Sequence, residues 1–180
     1  EEKIETGTGK SYGLELFLQK KKGRFTGMMG YTLSWTTRHF DNLNNGKEFP
    51  YRYDRRHDFK VAGIYELAKN IEVSAEWVYG TGNALTLPVG YYNGPDGNTV
   101  QVFGERNGYR MPSYHRADVS IKFSKQRKNW ERAWVISAYN VYNRKNPFYI
   151  YNSTNSQGNA VFKQMSLFPI IPSISYQFKF

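Results

Sequence analysis

P-I-I-P-S-I-S-Y-Q-F-K-F, residues 169–180, decides the fold. Ile170, Pro172, Ile174, Tyr176, Phe178 and Phe180 fall on one side of an extended chain, and Ile171, Ser173, Ser175, Gln177 and Lys179 on the other. Such period-two alternation predicts a strand with one apolar and one polar face. A soluble edge strand would carry blunting charges on its apolar side, and soluble termini usually run out into polar tails. An apolar strand carried to the last residue is expected instead of a barrel, where the final strand closes the sheet against the first.

The same alternation recurs upstream. Tyr12, Leu14, Leu16 and Leu18 alternate with Gly13, Glu15, Phe17 and Gln19; after the turn K-K-K-G-R at 20–24, Phe25, Met29, Tyr31, Leu33 and Trp35 oppose Thr26, Met28, Thr32, Ser34 and Thr36. Phe59, Val61, Gly63, Tyr65 and Leu67 oppose Asp58, Lys60, Ala62, Ile64 and Glu66. Beyond Ala68-Lys69-Asn70, Ile71, Val73, Ala75, Trp77 and Tyr79 oppose Glu72, Ser74 and Glu76. Ala117, Val119, Ile121 and Phe123 oppose Arg116, Asp118, Ser120 and Lys122. A sixth strand over 133–143 is apolar in part on both faces, which leaves its orientation open. The expectation is an all-β chain of about seven antiparallel up-and-down strands, near 11–20, 25–38, 56–68, 71–80, 115–125, 133–143 and 166–180.

Long connections near 39–55, 81–113 and 144–164 alternate with tight turns. That parity belongs to an up-and-down barrel of the bacterial outer membrane, with short periplasmic turns and long external loops. It puts the C-terminus on the periplasmic side. About seven strands do not close a bacterial barrel, and hydrocarbon does not tolerate an open sheet edge. The chain is therefore expected to be the C-terminal part of a larger transmembrane barrel. Trp35, Trp77 and Tyr79 are expected near the outer rim, and Tyr12, Phe25, Tyr65, Tyr176 and Phe178 near the inner one.

Composition narrows the alternatives. Hydrophobic residues make up 39% of the 180, and the mean hydropathy is −0.69, so no segment suits a membrane-spanning helix. Strands of a barrel remain open, because their apolar face is diluted by a polar lumen. Aromatics reach 17%, with 15 Tyr and 12 Phe, which fits interfacial girdles or, alternatively, a sticky β-sandwich or a sugar-binding module. The absence of cysteine excludes disulfide scaffolds and thiolate metal sites. The formal charge of +10 is spread over turns and loops, not along one helix, so no nucleic-acid partner is expected.

No chemistry stands out. His39, His57 and His115 lie far apart at loop–strand junctions, without metal-ligand spacing. There is no G-x-S-x-G elbow, and Gly80-Thr81-Gly82 lacks the further glycine and helix of a phosphate cradle. Neither an enzyme nor a cofactor is expected. Arg55, Arg56, Asp58, Arg106, Arg110, Arg116 and Asp118 form the charged group of interest, either as a ligand-guiding lumenal rim or, preferably, as a structural ladder in a wet lumen. Tyr91, Tyr92, Phe148, Tyr149 and Tyr151 could stack on a ligand or pack the loops together.

Several stretches together resemble the C-terminal barrel segment of TonB-dependent outer-membrane receptors of the Bacteroidetes type. They are Y-D-R-R-H-D-F at 53–59, Y-G-T-G-N-A-L-T-L-P at 79–88, G-E-R-N-G-Y-R-M-P-S-Y-H-R-A-D at 104–118, N-V-Y-N-R-K-N-P-F at 140–148 and the terminal Y-Q-F-K-F. The resemblance implies a barrel of 22 strands with an N-terminal plug, energised by a TonB-type transducer. It further implies uptake of a scarce ligand such as an iron chelate, cobalamin, a glycan or a peptide. The implied partners are outer-membrane lipid, the remainder of the barrel and plug, the transducer and a surface lipoprotein. Tyr176, Phe178 and Phe180 would be the signal read by the barrel-assembly machinery. A plug and a transducer-contacting segment would lie outside these 180 residues. Two other readings stand beside this one: a receptor-like barrel serving as a structural subunit of an envelope complex, and a soluble aromatic-rich binding module.

Overall fold

A computed structural model describes residues 5–180. In chain order the strands are β1 (Thr8–Lys20), β2 (Phe25–His39), β3 (Phe49–Pro50), β4 (His57–Ala68), β5 (Ile71–Gly80), β6 (Ala84–Leu85) and β7 (Pro88–Asn93). They continue as β8 (Thr99–Phe103), β9 (Tyr109–Arg110), β10 (Tyr114–Gln126), β11 (Glu131–Tyr139), β12 (Tyr149–Thr154), β13 (Ala160–Met165) and β14 (Ile171–Lys179). The one helical turn is a 3-10 turn at Asn44–Gly46 among the described residues.

By contacts the chain divides into two units. One comprises Leu16–Tyr31, Asp58–Gly80 and Ser113–Phe180. It holds an antiparallel meander in the order β1-β2-β4-β5-β10-β11-β14, each long strand beside its neighbours in sequence. The fold is thus all-β and up-and-down. Its short turns lie at one end of the sheet and touch in succession: Glu66 N–H donates to the Arg24 carbonyl at 2.8 Å, and Ser124 N–H to the Asn70 carbonyl at 2.8 Å. Gly23 has φ +98° in the first of these turns, a conformation that a side chain would strain.

The other unit comprises residues 5–15 with Thr32–His57 and Thr81–Pro112. Here β3 pairs with the end of β2, β6 with β9, and β7 with β8. The connection over 81–113 is therefore filled by two small ladders. Likewise β12 and β13 make a six-residue hairpin within 144–164. Backbone groups in those connections find partners there.

Three differences from the sequence reading have local causes. The sixth strand ends at Tyr139, not near 143, because Asn140 takes φ 54° and turns the chain out of the sheet. The last strand begins at Ile171, not near 166, since the Phe168 carbonyl and the Ile170 N–H are bonded by the side chains of Asn140 and Asn143. Tyr12 does not sit at the opposite rim from Trp35. The two rings stack at 5.5 Å and 13°, as strands joined by a short turn require: the start of β1 meets the end of β2.

Buried apolar residues are few. Phe49, Ala84, Met111 and Ala133 are the buried hydrophobics among the described residues, while Leu14, Leu16, Leu18, Ile136 and Ile174 lie exposed. The sheet does not cover its apolar face by itself.

Candidate functional site

The register sorts the meander into two faces. Antiparallel partners project to the same side, so Tyr65, Val73, Ile121, Ile136 and Ile174 form one continuous apolar row across five strands. Toward the short turns, Phe123, Trp134 and Tyr176 form an aromatic row on that face, the last two rings at 4.8 Å. Toward the opposite end, Phe59, Tyr79 and His115 are register partners beside Trp77, and His115 Nδ1 lies 2.8 Å from the Tyr142 hydroxyl. From His115 to Phe123 is eight residues of one strand. That is about 26 Å of strand.

The other face is polar and curls. Gln19, Thr26, Ile64, Glu76, Asp118 and Ser137 help line one open cavity of about 660 Å³, to which strands β1 through β11 of the meander contribute. Six flat strands at about 4.8 Å spacing would lie too far apart to share it. A row of serines crosses this face: Ser74 pairs with Ser120, Ser120 with Ser137, and Ser137 with Ser173. Their hydroxyls meet at 2.7 Å for Ser74–Ser120 and 2.7 Å for Ser137–Ser173. The row fixes the orientation of the sixth strand, which composition leaves open. Ala133, Val135, Ser137 and Tyr139 share the serine face, and Trp134 and Ile136 the apolar one. Lys122 Nζ and Glu72 Oε2 add an ion pair at 3.7 Å.

The charged group divides in two. In the unit holding β3, β6 and β9, Asp54 is 2% exposed and is the hub. Its Oδ1 accepts from Thr36 N–H at 2.7 Å, and its carboxylate accepts from Arg110, whose Nη1 also donates to the carbonyls of Asp54 and Gly82 at 2.6 and 3.0 Å. Arg56 Nη2 stands 3.8 Å from Asp54 Oδ2 with its guanidinium over the Trp35 ring at 4.7 Å. Arg106 joins neither charge; its guanidinium lies 5.9 Å from the Phe49 centroid. The Arg55 carbonyl accepts from Ser34 Oγ at 2.9 Å.

In the meander, Arg116 Nε pairs with Asp118 Oδ2 at 2.9 Å, Nη1 donates to the Tyr114 hydroxyl at 3.0 Å, and the guanidinium covers the Tyr139 ring at 4.1 Å. Asp58 pairs with Lys60 at 3.5 Å. Asp54 thus meets two arginines of its unit, Arg56 and Arg110, and in the meander Arg116 and Lys60 each meet an aspartate.

Sequence reasoning passes over Asp54 and Asn140. Asn140 is fully buried. Its N–H donates to Asp118 Oδ1 at 2.8 Å, its Nδ2 to the carbonyls of Arg144 and Phe168 at 3.0 and 3.1 Å, and its Oδ1 accepts from Arg144 N–H at 3.1 Å. Asn143 Oδ1 accepts from Ile170 N–H at 3.0 Å. Together these clamp both feet of the β12–β13 connection. The spacing N-V-Y-N at 140–143 is the sequence trace of this clamp, since asparagine tolerates φ > 0 and bonds nearby backbone.

Tyr91 and Tyr92 lie on β7 and are exposed. Phe148 precedes β12, whose Tyr149 and Tyr151 rings are parallel within 7° at 6.2 Å. Tyr176 and Phe178 lie on the apolar face of the sheet beside Trp134 and Trp130, and Phe180 is 97% exposed. Among the described residues no group of three or more His, Cys, Asp or Glu could hold a metal ion. No helix among them is long and apolar enough to cross a membrane, which says nothing of a β-barrel. No protein-family model, curated protein or solved structure matches the chain.

Proposed function

We propose that the chain forms part of the wall of a bacterial outer-membrane barrel of the TonB-dependent receptor type, and that the whole receptor imports a scarce ligand such as an iron chelate, cobalamin, a glycan or a peptide. The observation carrying this reading is the face of the meander where an apolar band lies between two aromatic rows about 26 Å apart along β10, which at the tilt near 40° of an outer-membrane barrel makes about 20 Å of height. Lipid-facing surfaces of outer-membrane barrels have this layering, with the band near 25 Å tall. The opposite face, with its serines, paired charges and open cavity, suits a wet lumen.

Among the described residues β1 and β14 each leave one edge unpaired, which supports placing the sheet within a larger barrel, because hydrocarbon accepts no open edge. Import would then proceed by displacement of a plug under an energy-transducing partner, not by covalent chemistry. The test is fractionation of the source cells. Recovery in detergent-extracted outer membrane, at a mass several times 21.0 kDa and with heat-modifiable migration, is the expected result. Recovery near 21.0 kDa in the soluble fraction overturns the proposal.

A further inference from the structure

The short-turn end of the meander is strongly basic. Its turns read K-K-K-G-R at 20–24, K-N at 69–70 and K-Q-R-K-N-W-E-R at 125–132, with Glu131 the one acid within those stretches. These cations are not scattered around the turns at random. Lys125 and Arg132 are register partners, and Arg132 is in turn the partner of Phe178. By strand parity they stand on the apolar face, one step beyond Phe123, Trp134 and Tyr176. Lys20 shares the parity of Leu14, Leu16 and Leu18 on β1.

Aromatic rings hold three of these groups at the rim, and Arg24 also donates to the Glu66 and Leu67 carbonyls. Lys20 Nζ lies 5.8 Å from the Phe25 centroid, the Arg24 guanidinium 5.4 Å from Tyr65, and the Arg132 guanidinium 5.6 Å from Trp130. All four cations are exposed, and none has an ion-pair partner among the described residues. A cation placed one residue pair past an interfacial aromatic row sits at the depth of lipid phosphates. Exposed basic groups pointing into lumen or solvent would serve solubility alike on either face. Here they continue the lipid-facing side.

We propose that Lys20, Arg24, Lys125 and Arg132 form a belt that binds the headgroups of anionic phospholipids at the short-turn side of the membrane. The inference rests on the barrel reading above. Each cation contributes an attraction of the order that changes affinity about fivefold, and the aromatic rows fix the depth at which it acts.

The test reconstitutes the full-length protein into vesicles of phosphatidylcholine alone and of phosphatidylcholine with phosphatidylglycerol. Retained lipids are then counted by native mass spectrometry after detergent extraction. The variant is Lys20→Gln with Lys125→Gln and Arg132→Gln; Lys163→Gln, on β13, is the control. The expected result is insertion into both vesicles, selective retention of phosphatidylglycerol, and at least tenfold loss of that selectivity in the triple variant alone. Equal selectivity in the triple variant, or displacement of the lipid by millimolar inorganic phosphate, overturns the lipid belt while leaving the barrel standing. Failure of the unaltered protein to insert into either vesicle overturns the barrel reading, and the belt with it.

Discussion

Arg110 donates both to the carboxylate and to the backbone carbonyl of Asp54, so one guanidinium ties a buried acid to its own main chain. Breaking a buried pair from one side is costly because the remaining charge keeps its desolvation penalty. Arg110→Met is expected to destabilise the unit holding β6 and β9 by about 3 kcal/mol, the low end for such pairs because Arg56 stays nearby. Adding Asp54→Leu should recover much of the loss. Hydrogen exchange over residues 81–112 reads both effects.

Gly82 offers a sharper test of the same region. A Cβ there would stand 2.0 Å from the Met111 carbonyl oxygen. Gly82→Ala is expected to force the two backbone segments apart, lose the Arg110 bond to the Gly82 carbonyl, and release protection at Tyr109–Met111 as far as Arg110→Met does. Protection unchanged from the parent would show that the close approach is not required.

At Asn140 two penalties can be separated. Asn140→Gly keeps the positive φ accessible but leaves the Arg144 N–H and the Arg144 and Phe168 carbonyls short of a partner; Asn140→Ala adds backbone strain. Both should loosen the β12–β13 connection, with Ala worse than Gly by about 1 kcal/mol. Limited proteolysis across 144–170 compares them. Equal damage would mean the side-chain bonds alone matter.

Charge placed on either face discriminates a lipid from a water environment. Val119→Lys lies midway between the aromatic rows on the apolar face, whereas Ser120→Lys faces the cavity. In a membrane barrel the first should cost about 2–4 kcal/mol and the second little. Folding yield into vesicles gives the answer. Equal tolerance of both would remove the lipid-facing assignment.

Phe180 touches Phe178 and is otherwise exposed. Phe180→Ala should leave denaturation of the assembled protein within about 0.5 kcal/mol of the parent. A fall in the amount delivered to the outer membrane, with stability unchanged, would mark the residue as an assembly signal and not a packing element.

Period-two alternation makes the long strands and their polar face legible, because the side-chain period of a strand is two wherever one side is buried or lipid-facing. The sixth strand resists this reading: Trp134, Ile136 and Ala138 alternate with Ala133, Val135 and Tyr139, and both sets are apolar. Its orientation comes from Ser137 meeting Ser120 and Ser173, a cross-strand fact that no single strand contains. Asp54 hides for a similar reason, since its importance comes from Arg110, far away in sequence. The small ladders inside the long connections leave little trace. Their strands are two to six residues long, too short for a periodic signal.

Because each long strand of the meander pairs with its sequence neighbours alone, the sheet is a row of interchangeable hairpins. Duplicating or deleting one hairpin would keep every apolar side facing the same way and every short turn at the same end. Adding a single strand would invert everything beyond it. The architecture can therefore widen or narrow in steps of two strands without redesigning either surface. Loops can be exchanged between such steps at small cost to the sheet. Diversity of loops and constancy of the sheet then come from the same economy of connection.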